Sequence, residues 1–269
     1  MDRLLAIALM LSLLAAGCLS FPKSGTAVRE PPPTPPERPP NPTPANSTGT
    51  AEPDAGPATA GNASAPPGAE KSGGSVLILG RSVARGWIDY MGGEYTCFDE
   101  GCGNAAYVAN YSGRTFIYSE LDPPPDIVGS AADRLERFGD RADTVFFKLC
   151  FVDFESDPSG ENLRRDEGYI QAAYDEIVVK RHKKMIVGNA LPSVASSTDQ
   201  TLVSSHREYN RWLDGFAKSH KDIKVLDLYG MLSDSSGSLD PRYASSPDDS
   251  HPNAAGYSRI TPGFLALLG

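Results

Sequence analysis

Short runs of consecutive apolar residues recur at intervals along the last two thirds of the chain. They fall within 75–79 (Val76-Leu77-Ile78-Leu79), 144–152 (Val145-Phe146-Phe147), 184–189 (Met185-Ile186-Val187) and 223–228. Most do not alternate apolar with polar residues, as a strand with one wet face does. An unbroken run suits a strand covered on both sides, as in a parallel sheet. Between the runs lie segments with helical spacing: Ile127, Ala131, Leu135 and Phe138; then Ile170, Ala173, Tyr174, Ile177 and Val178; then Tyr209, Leu213 and Phe216. Further helices are predicted from Ser82 to Met91, ended by Gly92-Gly93, and from Ala254 to Leu268, where Pro262 should bend or split the helix. Residues 105–111 read as a weaker strand. The alternation of strand and helix predicts an α/β fold, a three-layer α/β/α sandwich with a central parallel sheet. Functional groups in such folds sit beyond the carboxyl ends of the strands. That rule selects Gly80 to Ser82, the loop after Tyr111, the loop after Val152, and the segment before the last helix.

The first third of the chain cannot join that core. Residues 19–74 are dominated by Pro, Ala, Gly, Thr, Ser and Glu, with Pro31-Pro32-Pro33 and repeated proline pairs. Too few large apolar side chains are present to offset the entropy of ordering the backbone, so a disordered stalk is expected. Its proline-rich half should be extended and semi-rigid. Asn46-Ser47-Thr48 and Asn62-Ala63-Ser64 match glycosylation sequons within it. Before the stalk, an apolar run from Leu4 to Ala16 is shorter than the roughly 20 residues of a membrane span. It fits the apolar core of a secretory signal. Ala15-Ala16-Gly17-Cys18 resembles the lipobox of prokaryotic lipoproteins, which implies a signal peptide over 1–18, lipidation at Cys18, and a cell-membrane anchor on the extracytoplasmic face. Residues 75–269 then form one domain of ordinary size. The formal net charge of −9 argues against a nucleic-acid partner.

Outside the cytoplasm, the Gly-containing loop Cys97-Phe98-Asp99-Glu100-Gly101-Cys102 reads as a small disulfide-closed loop. No further Cys or His is close enough in sequence to suggest zinc. Cys150, in an apolar stretch, reads as a buried thiol.

Two segments carry residues suited to catalysis. Asp248-Asp249-Ser250-His251-Pro252-Asn253 stands just before the terminal helix. A histidine with a carboxylate three residues back can serve as a general base, the acid fixing its tautomer. Helix capping by Asn253 or Ser250 accounts for part of the same composition. At the other end of the domain, Gly80-Arg81-Ser82 falls where the first strand turns into a helix. That placement exposes the hydroxyl above the sheet and puts it at a helix N-terminus, favourable to a developing oxyanion. A plain N-cap serine is the competing reading.

A strand ending in Gly-x-Ser with Asp-x-x-His-Pro before the last helix resembles the SGNH/GDSL hydrolase superfamily. Tyr209-Asn210-Arg211-Trp212-Leu213, Val225-Leu226-Asp227-Leu228 and His251-Pro252-Asn253-Ala254-Ala255-Gly256-Tyr257 share its texture. The resemblance implies a flavodoxin-like sandwich, Ser82 as nucleophile, His251 as base and Asp248 as its orienting acid. Gly113, in Asn110-Tyr111-Ser112-Gly113-Arg114, is the best match to the glycine that lends a backbone N–H to the oxyanion hole. Two departures stand out. Arg81 replaces the acid of the usual Gly-Asp-Ser. In Lys148-Leu149-Cys150-Phe151-Val152-Asp153, Val152 stands where the family has an asparagine donor, and only Asp153 matches. Asn189 and Arg81 are candidate substitutes, with Arg81 also a candidate substrate contact.

The resulting expectation is a serine esterase that needs no metal or cofactor. It would act on a small acyl ester or an acylated glycan, such as an O-acetylated polysaccharide. A glycan-binding module that kept the fold and lost the activity is the alternative. A metal-dependent hydrolase built on Asp248, Asp249 and His251 fits less well, with a single imidazole. Trp87 suits a helix core or a cleft lining, and His182, His206 and His220 read as solvated helix residues.

Overall fold

The computed structural model describes residues 73–269. The expected signal peptide, Cys18, both sequons and nearly all of the expected stalk lie outside those residues. In chain order the elements are β1 (Gly73–Gly80), α1 (Ser82–Tyr90), β2 (Glu94–Cys97), β3 (Ala105–Tyr111), β4 (Arg114–Glu120), α2 (Ile127–Phe138), β5 (Thr144–Phe147), α3 (Glu161–Tyr174), β6 (Lys184–Gly188), α4 (Gln200–Ser219), β7 (Ile223–Leu226), α5 (Leu228–Leu232), β8 (Ala244–Ser246), β9 (Asp249–Pro252) and α6 (Ala254–Leu268). Seven strands form one sheet in the order β2-β3-β4-β1-β5-β6-β7. β4, β1, β5, β6 and β7 pair in parallel, while β3 runs antiparallel to both of its neighbours. The sheet is mostly parallel with helices on both faces, the α/β architecture that the apolar runs predict.

Alternating residues of β1 feed the two layers. Leu77 and Leu79 join Ala131 and Leu135 of α2, Ile170 of α3 and Tyr209 and Leu213 of α4. Val76 and Ile78 join Trp87 and Ile88 of α1 and Tyr257, Ile260 and Phe264 of α6. Trp87 is a core residue, 1% exposed, and its Nε1 donates to Thr261 Oγ1 at 2.9 Å. α6 passes through Pro262 as one helix. His206 corrects an expectation: it is fully buried, not solvated.

The apolar run at 144–152 is strand only to Phe147 and then enters a single 3₁₀ turn, Phe151–Asp153. The hairpin of β3 and β4 was hidden by its turn. Ser112 and Gly113 both adopt positive φ, 52° and 74°, as a two-residue hairpin turn of matching twist requires. Cys97 and Cys102 are joined in a disulfide that closes the loop after β2. Among the described residues, no helix is long and apolar enough to cross a membrane.

Candidate active site

The turn after β1 brings α1 close over the end of the strand. A Cβ on Gly80 would fall 2.8 Å from the Cβ of Ala84, so glycine lets α1 fold back over the strand. Arg81 makes the bend, and Ser82, exposed, is the first residue of α1. α1 is drawn close to α6: the Tyr257 hydroxyl donates to Val83 O at 3.1 Å, and a Cβ on Gly86 would collide with it. Just before α6, β8 and β9 form a small hairpin. Asn253 holds it in place. Its Oδ1 accepts from Gly256 N and caps α6, while Nδ2 donates to Arg242 O and Ala244 O. Ser250, buried on the other face of β9, accepts from Val194 N at 3.0 Å.

These supports bring His251 over Ser82. Nε2 of the imidazole lies 2.8 Å from Ser82 Oγ, across 169 residues of sequence. On the opposite edge of the ring, Nδ1 lies 2.5 Å from Asp249 Oδ1, which also accepts the backbone N–H of His251 at 2.9 Å. A carboxylate at Nδ1 places the proton there, leaving Nε2 as acceptor for the serine hydroxyl. Those two hydrogen bonds, the backbone one first, hold the Asp249 carboxyl below its usual range. The Phe151 ring packs edge-on against the imidazole at 5.1 Å.

The acid beside His251 is therefore Asp249, not Asp248. Spacing by three suits a helical or looped segment, whereas His251 sits on a strand, where residues two apart share a face. Asp248 lies in the hairpin turn, exposed, with its backbone N–H facing Ser246 Oγ.

Gly113 is not at the site. β4 pairs with β1 in parallel, Arg114 opposite Gly73 and Glu120 opposite Gly80, so Gly113 lies at the far end of the sheet. Over seven residues of strand that is roughly 20 Å from Ser82. Asn189 reaches the correct sheet end but is committed elsewhere. It is buried two strands from β1, its Oδ1 accepting from Tyr229 N at 2.9 Å and its Nδ2 donating to Asp227 Oδ1 at 2.8 Å. Arg81 pairs with the buried Asp153 through Nη2. Asp153 Oδ2 also accepts Cys150 N–H at 2.6 Å, and Cys150 Sγ stands 4.0 Å from Ser82 Oγ. Val152 is 55% exposed, and its side chain has no hydrogen-bond donor.

A groove of about 390 Å³ adjoins Asp249 and Phe151, lined also by Val152, Phe154, Glu155, Leu202, Asp248 and serines. A smaller apolar pocket of about 260 Å³, with Met185, Ile223 and Leu267, lies at the opposite end of the sheet and holds neither nucleophile nor base. Among the described residues no group of three or more His, Cys, Asp or Glu side chains converges as metal ligands would. Sequence reasoning placed Asp248 rather than Asp249 behind the imidazole and did not identify Asp153 as the partner of Arg81. A strand assignment for 249–252 would have pointed to Asp249 through its two-residue period; no local pattern marks the Arg81–Asp153 pair, whose members lie 72 residues apart.

The sheet and its covering helices form a fold shared with solved structures of other proteins. A GDSL-like lipase from Bacteroides thetaiotaomicron superposes with a TM-score of 0.54 at 15% identity, over 74% of this chain and 89% of that one. A catalytic mutant of an acetylxylan esterase from Geobacillus stearothermophilus superposes with a TM-score of 0.50 at 17% identity, over 74% and 95%. No family model and no curated protein sequence matches the chain. The fold is the GDSL-like hydrolase fold.

Proposed function

We propose that the chain is a serine esterase. The observation that carries this reading is the Ser82 hydroxyl 2.8 Å from His251 Nε2, with Asp249 behind Nδ1. His251 takes the hydroxyl proton as Ser82 Oγ attacks an ester carbonyl. The imidazolium, stabilised by Asp249, then gives that proton to the departing alcohol. Water, deprotonated by the same nitrogen, attacks the acyl-serine, and the acid leaves as Ser82 Oγ takes that proton back from His251. The developing oxyanion forms at the N-terminus of α1, where the Ser82 backbone N–H and the helix dipole favour negative charge.

The substrate is a small acyl ester, with acylated glycans the favoured class. A structural neighbour is an acetylxylan esterase, which supports that class, and an open groove bordered by Asp249 and Phe151 adjoins the His251 side of the site. The lipobox-like Ala15-Ala16-Gly17-Cys18 supports a lipid anchor and an extracytoplasmic location. Val152 in place of an amide donor favours a second reading, a glycan-binding domain of weak or no activity.

A fluorophosphonate probe separates the two. The esterase reading expects labelling of the wild type, hydrolysis of p-nitrophenyl acetate, and loss of both in Ser82→Ala. A folded wild type that neither labels nor turns over the ester overturns it.

A further inference from the structure

Asp153 is 3% exposed, yet three of its oxygens are engaged. Oδ1 receives Arg81 Nη2, Oδ2 receives the Cys150 N–H at 2.6 Å, and the backbone oxygen receives Arg165 Nη2 at 2.6 Å. Arg165 is itself held by the buried Asp166 at 3.0 Å through Nε and Nη2. A continuous line of charge-assisted contacts thus runs from α3 to the residue before Ser82. The turn that Asp153 closes touches both members of the proposed catalytic pair. Cys150 Sγ lies 4.0 Å from Ser82 Oγ, and the Phe151 ring packs on the His251 imidazole. Arg81 is also fixed through its carbonyl, which accepts from Arg85 N at 3.1 Å and from the Tyr118 hydroxyl at 3.4 Å.

Simple stabilisation is a weak reason for this arrangement. A buried ion pair returns little net stability after desolvation, and its better-attested use is to fix one geometry among several. The geometry fixed here is the separation between the nucleophile loop and the turn beneath the base.

We propose that Arg81 and Asp153 are a positioning pair for the esterase reaction, locking Ser82 and the Cys150–Asp153 turn at the separation that lets Oγ meet His251. The pair hydrogen-bonds neither the Ser82 hydroxyl nor the His251 ring and acts through Ser82, Cys150 and Phe151. This inference rests on the esterase reading above.

The test compares wild type, Arg81→Met, Arg81→Lys and Asp153→Asn in fluorophosphonate labelling rate, in kcat and KM for p-nitrophenyl acetate, and in Tm. Arg81→Met is expected to lower labelling rate and kcat on the order of 10- to 100-fold with KM within about twofold, as a small displacement of a nucleophile does. Millimolar guanidinium should restore part of that loss in Arg81→Met and none in Asp153→Asn, because it refills the place left beside the Asp153 carboxylate. Arg81→Lys, which keeps a cation but not the planar fork, should fall between. Should a methionine at 81 prevent folding, Arg81→Lys carries the same comparison. A variant with lower Tm but wild-type kcat and labelling overturns positioning and leaves the esterase reading intact. A wild type that never labels overturns both.

Discussion

Asp249 and His251 stand two residues apart on β9, and the carboxylate Oδ1 meets the imidazole Nδ1 at 2.5 Å while accepting the backbone N–H of the same histidine. A strand provides that double contact because residues i and i+2 share a face. Asp249→Asn should keep the ring roughly in place but favour the wrong tautomer, lowering kcat by up to about 10⁴-fold. The side chain is 45% exposed, so solvent will stand in for part of the lost charge and the effect should fall below that limit. Asp248→Asn, in the exposed turn, should stay within about twofold. Steady-state kinetics on the two variants decide between the neighbours. Equal losses would remove Asp249 from its assigned role.

Gly113 offers a complementary test. Its φ of 74° is strained for any residue with a Cβ, by roughly 1–2 kcal/mol. Gly113→Ala should therefore lower stability by about that amount in urea unfolding. Its kcat should not change, because the turn lies at the far end of the sheet from Ser82. A large kcat loss at unchanged stability would restore Gly113 to the oxyanion hole.

Asn189 should behave as a structural residue. Its amide bridges Tyr229 N and Asp227 Oδ1, fixing the turn from β7 into α5. Asn189→Ala leaves a buried N–H and an acid without their partner, a cost of about 1–3 kcal/mol. Urea unfolding should show that loss while kcat stays within about twofold of wild type. A rate loss exceeding tenfold in a variant of unchanged stability would point instead to a part in catalysis.

What could be read from sequence divides along physical lines. α2 and α6 begin and end where their apolar spacing says, and β1, β5, β6 and β7 lie on the four apolar runs, because burial on both faces leaves an unmistakable composition. β3 was read as a weaker strand and β4 was not predicted. The polar ends of β4 blur its run, and the Ser112-Gly113 turn that would have marked a hairpin was read as an oxyanion loop. Ser82 and His251, which the structure brings to 2.8 Å, each stand out in one local segment, a strand-to-helix turn and a pre-helix histidine. Asp249 was missed because the segment was read as a loop, and the loop and strand assignments select different neighbours. The Arg81–Asp153 pair depends on which strand end abuts β1, and only the sheet order β1-β5 shows that.

His206 gives the last prediction, and it concerns acid stability. The ring is fully buried between Phe154 and Tyr229, with no hydrogen-bond partner on either nitrogen among the described residues. Burial, reinforced by the neighbouring Lys148, pushes its pKa down from 6.5 to about 4. The folded imidazole is thus neutral where the unfolded one is charged. As pH falls below about 6.5 the unfolded state gains a proton that the folded state refuses, so stability drops until about pH 4. The drop over that window amounts to about 3 kcal/mol from this residue, at about 1.4 kcal/mol per unit. Asp166, pushed up to about 7 chiefly by burial, acts in the opposite sense, its contribution waning as pH rises towards 7, and it is present in both proteins compared. His206→Leu should unfold no more easily than wild type at pH 7.5, since it removes two unpartnered nitrogens. Its advantage should widen steadily between pH 6.5 and 4 in urea titrations. A constant difference across that window would show that the histidine is protonated inside the fold, which would require a partner for its charge between α4 and β5.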